Sequence, residues 1–336
     1  MHNISFRFIV KTKNINLYLA HTHIISIEIQ TMSTTLSFIA QDMSIYLGIP
    51  MFIFGVIGSI SALIVMLSLQ TFRKNSCAFY LIIMQIYNLG ELLTGLLSRI
   101  LITGFKIDAT GTISFYCKFR SFIITPFTIT SVTFLCLATI DQYFATCSRP
   151  SWQRWCNLRI AHRLTIFFCI FWFLHAILYI FYTDIAIYPG TNLTYCSSPN
   201  SAFVNYHNYV TVIILTGFLP IFILITFGSL AFYNVRHLNY RTVPLVRQEL
   251  DKQLTTMVFL HILLNFVSFV PYTIFNTVLI IPQLANNSIL KFCGTLSSLF
   301  FHLFYAGSFY IYMIASERFR RQFIYVLFNI QTNRVQ

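Results

Sequence analysis

Charge is what this chain has least of. Asp, Glu, Lys and Arg make up 9% of its 336 residues, against about a quarter in a soluble domain. So few charges cannot cover a water-facing surface. With 57% apolar residues, the chain does not have the composition of a disordered protein either. Internal repeats, low-complexity tracts and a second soluble domain are missing as well. No metal-ligand spacing occurs. His21 and His23 sit together near the N-terminus, while His162, His175, His207, His237, His261 and His302 are scattered. Neither a glycine-rich phosphate loop nor a nucleophile motif is present. Catalysis, a metal and a cofactor are therefore not expected. Residues 1–31 carry Arg7, Lys11 and Lys13 but no long apolar core or small-residue cleavage site, so no signal peptide is read. Met32, followed by Ser33, offers an alternative start.

Long apolar runs are what the chain does have. A membrane-spanning helix needs about 20 mostly apolar residues, and seven such segments emerge near 45–69, 77–101, 117–144, 161–183, 206–233, 253–280 and 292–315. Each must be helical, because a lone strand cannot satisfy its backbone in lipid. The net charge of +13 belongs with the lipid bilayer rather than nucleic acid, since the basic residues lie between apolar runs. With the N-terminus outside, fourteen of the 22 basic residues face the cytoplasm, from Arg73 and Lys74 to Arg320, Arg321 and Arg334. The Asn-x-Ser/Thr sites at Asn3, Asn192 and Asn286 all fall outside in that orientation. After the last span, Phe319, Phe323 and Val326/Leu327 form an apolar stripe beside a basic face, as an interfacial helix requires. The expected fold is an all-α membrane protein, a seven-transmembrane helix bundle with a short amphipathic eighth helix. Residues 1–44 form an extracellular tail, 45–315 the bundle, and 316–336 the cytoplasmic helix and tail.

Specific residues then give the pattern a family likeness. Cys117 opens the third span, and Asp141-Gln142-Tyr143 lies 24 to 26 positions later. Trp172 follows in the fourth span, Pro220 in the fifth, and Phe269 with Pro271 in the sixth. Ser308-Phe309-Tyr310-Ile311-Tyr312 ends the seventh, seven residues before Phe319. Over about 45–328 this spacing resembles the rhodopsin-like G-protein-coupled receptors. In that family an Asp/Glu-Arg-Tyr triplet, an aromatic-x-Pro hinge and an Asn-Pro-x-x-Tyr motif stand at these places. The chain departs from the pattern at Ser59 (for Asn), Asn88 (for Asp), Gln142 (for Arg) and Ser308-Phe309 (for Asn-Pro), which marks a divergent branch. With Asn88 in place of a carboxylate, the family's sodium site is in doubt, since a neutral amide offsets little cation charge.

The resemblance implies a Cys117–Cys196 disulfide over the outer mouth, and Cys293 is left over, expected to be buried near the top of the seventh span. It also implies an activation switch built from Asp141, Gln142, Tyr143, Asp251, Phe269, Pro271 and Tyr312. Gln142 is expected to reach the Asp251 carboxylate through its amide. Glu91 is the one carboxylate well inside a span. A charge there costs roughly 2.5–3.5 kcal/mol on insertion scales, so it should face the bundle. Local hydrogen bonding of a neutral Glu91 and a pair with His302 are both open. Arg99 could meet an acidic ligand group or snorkel to the headgroups. The ligand cavity is expected among Arg99, Ile124, Tyr272, Thr273, Asn276, Ser298 and His302. Ile124 stands where amine receptors carry an Asp, so an amine ligand is not expected. The expected function is a plasma-membrane receptor that binds an unknown extracellular ligand, peptide or small molecule, and signals to a heterotrimeric G protein. A transporter or channel, and a receptor-like protein that no longer couples, are the alternatives. The missing repeat and the near-solitary Glu91 weigh against transport.

Overall fold

The computed structural model describes residues 30–147, 149–187, 194–236, 245–285 and 287–328, apart from the side chains at 150, 245–248, 282, 285 and 328. Asn3, Asn192 and Asn286 lie outside the described residues. Among these residues, seven helices are long and apolar enough to cross a membrane, and the chain is a multi-pass membrane protein. They are α1 (Gln30–Ser68), α2 (Ser76–Gly104), α3 (Ser114–Thr146), α4 (Leu158–Tyr182), α5 (Ser201–Arg236), α6 (Leu245–Leu279) and α7 (Ser288–Ala315). The amphipathic α8 (Glu317–Phe328) follows. Between α4 and α5 a hairpin forms from β1 (Asp184–Ile187) and β2 (Thr194–Ser197). It is antiparallel, with Ile185 opposite Cys196. The bundle therefore has a hairpin end and an α8 end.

Helix starts follow a simple local rule. Asn75, Asn157, Asn200 and Asn287 each turn a side-chain oxygen onto backbone N–H groups of the first turn of α2, α4, α5 and α7. Such a cap satisfies donors the helix cannot, typically for about 1 kcal/mol.

The first span is expected from 45, but the chain is already helical at Gln30, so residues 30–44 are helical and continue into that span. Hydropathy marks where a chain meets lipid, whereas a helix can run on past it. Here the Gln41 amide donates to the Gly104 carbonyl at 2.7 Å and ties the extension to the end of α2. The apolar window of α3 is 61% buried and that of α4 only 22%, so α3 is the axis and α4 the rim. Exposed Phe171, Leu174 and Phe181 on α4 suit a lipid-facing surface. At the α8 end Phe319 is fully buried against Phe309 and Tyr312. Phe323 packs on Phe309, while Val326 and Leu327 stay exposed.

Two helices depart from regular α geometry towards the hairpin end. In α2 the Leu97 N–H reaches back five residues to Leu92, and the Phe105 N–H to Ile100. In α5 the whole stretch Tyr206–Phe218 is wound the wider, i→i+5 way. Such π-turns cluster at functional sites, and both stretches contribute to the cavity walls.

Candidate functional site

The hairpin end encloses two connected chambers. The inner one, about 190 Å³, is walled by Glu91, Gly95 and Arg99 of α2, and by Arg120, Ile124, Thr128 and Ile129 of α3. Thr125 of α3, His207, Thr211, Val212 and Thr216 of α5, Tyr272 of α6, and Ser298, Phe301 and His302 of α7 complete it. The outer chamber, about 400 Å³, shares Arg120, Ile124, Thr125, His207 and Tyr272 with it and extends beneath Cys196, Ser197 and Ser198. The Cys117–Cys196 disulfide fastens the hairpin over this space, with Cα atoms 5.5 Å apart. Ser114 donates to Asp184 at 2.7 Å and Lys118 pairs with the same carboxylate at 3.2 Å, fixing the first strand. The exposed Asp184 carboxyl is held down to about 2 by the Ser114 hydroxyl, the Ile185 N–H and Lys118.

Glu91 faces the bundle. It accepts from the Thr128 hydroxyl at 3.1 Å, and its other oxygen lies 3.7 Å from His302 Nε2. The His302 Nδ1 lies 2.6 Å from the Ser298 carbonyl, which only accepts, so this nitrogen carries a proton. Glu91 thus has a hydroxyl bond across to α3 and a histidine neighbour on α7. Gly95 makes the room, since a Cβ there would overlap the Glu91 carboxylate.

Arg99 does not turn towards the headgroups. It lines the inner chamber and donates to the Thr295 carbonyl at a long 3.4 Å, and its Nε finds no acceptor. Arg120 donates through Nε to the Ser98 hydroxyl at 2.9 Å. Ile124, Tyr272, Ser298 and His302 line the cavity, whereas Thr273 and Asn276 do not. Successive helical residues turn by about 100°, which sends Thr273 against Gly217 of α5. Asn276 folds back onto the Tyr272 carbonyl at 2.7 Å. Cys293, expected to be buried, is partly exposed.

Sequence reasoning missed Arg120, Thr128, His207 and Thr211 as wall residues. The signal was there for two of them. Arg120, Ile124 and Thr128 recur every four residues, so they share a stripe with the Ile124 already singled out.

Below the chambers the floor is aromatic. Phe269, one turn from Tyr272, packs on Phe301, Phe304 and Tyr305 with ring centroids 4.8–6.3 Å apart. Deeper still, the polar groups are neutral. The Asn88 amide donates to Ser308 at 2.9 Å and accepts from Ser131, and Gln85 donates to Ser59 at 2.8 Å. The departures at Ser59, Asn88 and Ser308 are thus part of two neutral contacts. Among the described residues no group of three or more His, Cys, Asp or Glu could hold a metal ion.

At the α8 end Ser76 donates to the Asp141 carboxylate at 2.7 Å. Tyr143 packs against Trp152 and Phe227, and Tyr312 lies between His261 and Phe319. Gln142, fully buried, reaches α6, but not by the bond expected. Its amide donates to the Asp251 main-chain carbonyl at 2.9 Å and to the Thr255 hydroxyl at 2.7 Å, rather than to the Asp251 carboxylate. A glutamine is shorter than an arginine, so its reach ends at the α6 backbone. Thr255 completes the contact by bonding the same carbonyl at 2.8 Å.

Comparison with curated proteins finds no match. Residues 58–291 match the family described as 7 transmembrane receptor (rhodopsin family). That span takes in α2 to α6 and the Gln142 contact with Asp251 and Thr255, so the chain belongs to the rhodopsin family of seven-transmembrane receptors.

Proposed function

We propose that this receptor sits in the plasma membrane with its N-terminus and hairpin outside, binds an extracellular small molecule or peptide that is not an amine, and signals to a heterotrimeric G protein. One observation carries the reading: a single helix, α6, links the cavity to the opposite end. Tyr272 on α6 lines both chambers, Phe269 packs into the aromatic floor, and the Asp251–Thr255 turn accepts the Gln142 amide. From Tyr272 to Asp251 the helix spans about 30 Å at 1.5 Å per residue. A ligand that favours another position of Tyr272 therefore favours another position of the Gln142 contact, which is what differential binding to two states requires.

The test is nucleotide exchange on a panel of Gα subunits with receptor reconstituted in lipid discs. Gln142→Ala cuts the bridge to α6 and is expected to raise ligand-free exchange on at least one subunit. The net loss of about 1 kcal/mol shifts a two-state balance by about fivefold. A flat response from both wild type and variant on every subunit supports the second reading, a receptor-like protein that no longer couples. That reading is favoured by Gln142 itself, which lacks the charge and fork of the family's arginine.

A further inference from the structure

Resting on that receptor reading, we propose that the inner chamber holds the carboxylate of an organic acid between Arg99 and Arg120, with the body of the acid against Ile124, Val212 and Phe301. The argument starts from charge. Two guanidiniums line one small chamber, within electrostatic reach of each other. Among the described residues neither forms an ion pair with a carboxylate. The acid nearest to hand, Glu91, accepts from Thr128 and lies within electrostatic reach of Arg120, but it is in ion-pair contact with neither arginine. Arg99 is left with no carboxylate against it. A buried cation without a counter-charge is costly, and removing one partner of such a pair typically costs more than the pair gains.

Hydrogen bonding says the same. Arg99 spends its fork on one long bond to a carbonyl, and its Nε is an orphan. Arg120 spends its Nε on the Ser98 hydroxyl, a neutral acceptor. A guanidinium presents five donors in a plane that fits two carboxylate oxygens at once. A planar monoanion satisfies that fork at a lower desolvation cost than a phosphate dianion, and Ile124, Ile129, Val212 and Phe301 offer its body an apolar stretch of wall. Size sets the rest. About 190 Å³ is less than the roughly 300–1,000 Å³ of a drug-sized site, so the inner chamber takes a head group and a short body. A longer molecule continues past Tyr272 into the outer chamber. The carboxylate can come from a free organic acid or from the C-terminus of a peptide threaded under the hairpin.

The experiment is binding by thermal melting of the purified receptor in lipid discs, which needs no G protein. The probes are hexanoate, benzoate and phenylacetate, their methyl esters, hexyl phosphate, and short peptides ending in Phe or Leu with free or amidated C-termini. At least one free acid or free-C-terminus peptide is expected to raise the melting temperature, while its ester or amide leaves it unchanged. Whichever arm responds more strongly identifies the source of the carboxylate. Arg99→Gln and Arg120→Gln should each weaken the responding probe at least tenfold, and Arg120→Lys, which keeps charge without the fork, should weaken it less. Without any probe, Arg99→Gln should melt at or above wild type, because it removes an uncompensated buried cation. The proposal is overturned if no acid or free peptide shifts melting, if esters or hexyl phosphate shift it as much, or if the arginine variants bind like wild type. It is equally overturned if probe-free Arg99→Gln is destabilised like a core truncation, which would make Arg99 structural. Acid binding with no nucleotide exchange on any Gα would instead defeat the coupling reading and leave this one standing.

Discussion

The two halves of the bundle treat buried polarity in opposite ways. Towards the hairpin end, ionisable groups cluster: Glu91 lies 3.7 Å from His302, while Arg99 and Arg120 form no ion pair with a carboxylate among the described residues. Beneath the floor the polar contacts of the bundle's middle are neutral and short, and the buried Asp141 nearer α8 is met by the Ser76 hydroxyl. Asn88 joins Ser131 and Ser308, Gln85 joins Ser59, and Gln142 joins the α6 backbone. A neutral hydrogen bond contributes about 1 kcal/mol and costs little to break and remake. An unpaired buried charge costs several times that and is retained only where something comes to meet it. One half is built to receive, the other to change partners. Mutations that confuse these two economies should separate them.

The largest effect is expected from the hairpin clamp. Cys117 and Cys196 are 79 residues apart in sequence, and closing so long a loop typically stabilises by about 2–4 kcal/mol. Cys117→Ser with Cys196→Ser should lower the melting temperature of purified receptor and abolish any ligand-induced shift, while the Gln142 contact at the far end persists. Melting like that of wild type, with reductant having no effect on either protein, would show that the hairpin holds without its bond.

Next comes the space around Glu91. Gly95→Ala places a methyl where the carboxylate lies and should cost about 1–3 kcal/mol by overpacking. Glu91→Gln changes shape hardly at all, keeps an acceptor for Thr128 and offers a donor to His302. It should express at the surface and melt close to wild type. If Glu91→Gln proves as damaging as Gly95→Ala, the charge and not the shape of Glu91 holds the site together.

How much of this was legible beforehand divides along the same line. Helices and their order follow from apolar runs about as long as a bilayer is thick, because in lipid no other secondary structure closes its own hydrogen bonds. Glu91 and Arg99 stood out for the same reason, each an expensive residue in an apolar run. The extension of α1 back to Gln30 was hidden, since its sequence is only mildly apolar and the tie to Gly104 is a tertiary bond. The β1–β2 hairpin was hidden too, as eight residues paired across a gap leave little periodicity to read. Thr273 and Asn276 followed Tyr272 in sequence but not in direction, and rotation about the helix axis settles which residue faces the cavity. Arg120 does not stand out in the sequence. Its partner Ser98 lies on another helix, and spacing along one chain cannot disclose that.

A smaller change tests the α8 end. Gln142→Arg restores a longer, forked and charged side chain opposite α6. It should reach past the backbone carbonyl to the Asp251 carboxylate and hold the closed arrangement more firmly. A gain of about 1 kcal/mol corresponds to roughly a fivefold fall in ligand-free nucleotide exchange. Exchange equal to wild type at equal surface expression would mean that helix packing, not this bond, restrains α6.

The smallest effect concerns pH and the hairpin. The Asp184 carboxyl is held down to about 2 by the Ser114 hydroxyl first, then by the Ile185 N–H and Lys118. An unperturbed aspartate titrates near 3.9, so the folded hairpin prefers the charged form. The contribution is complete above about pH 4, and is lost as pH falls through about 2, where the folded carboxyl takes up its proton. Lys118 and Asp184 are both partly exposed, so water and salt screen the ion pair and the effect is local rather than global. Hydrogen exchange at the Ile185 amide, which donates to Asp184 at 2.8 Å, should report it. After correction for intrinsic exchange, protection should hold from neutral pH to about pH 4 and fall below that in wild type. In Asp184→Asn it should be lower and without a step, while the core of α3 shows no change in either protein. A step of equal size in the variant would assign the transition to another carboxylate and leave the Cys117–Cys196 bond as the sole anchor of the hairpin.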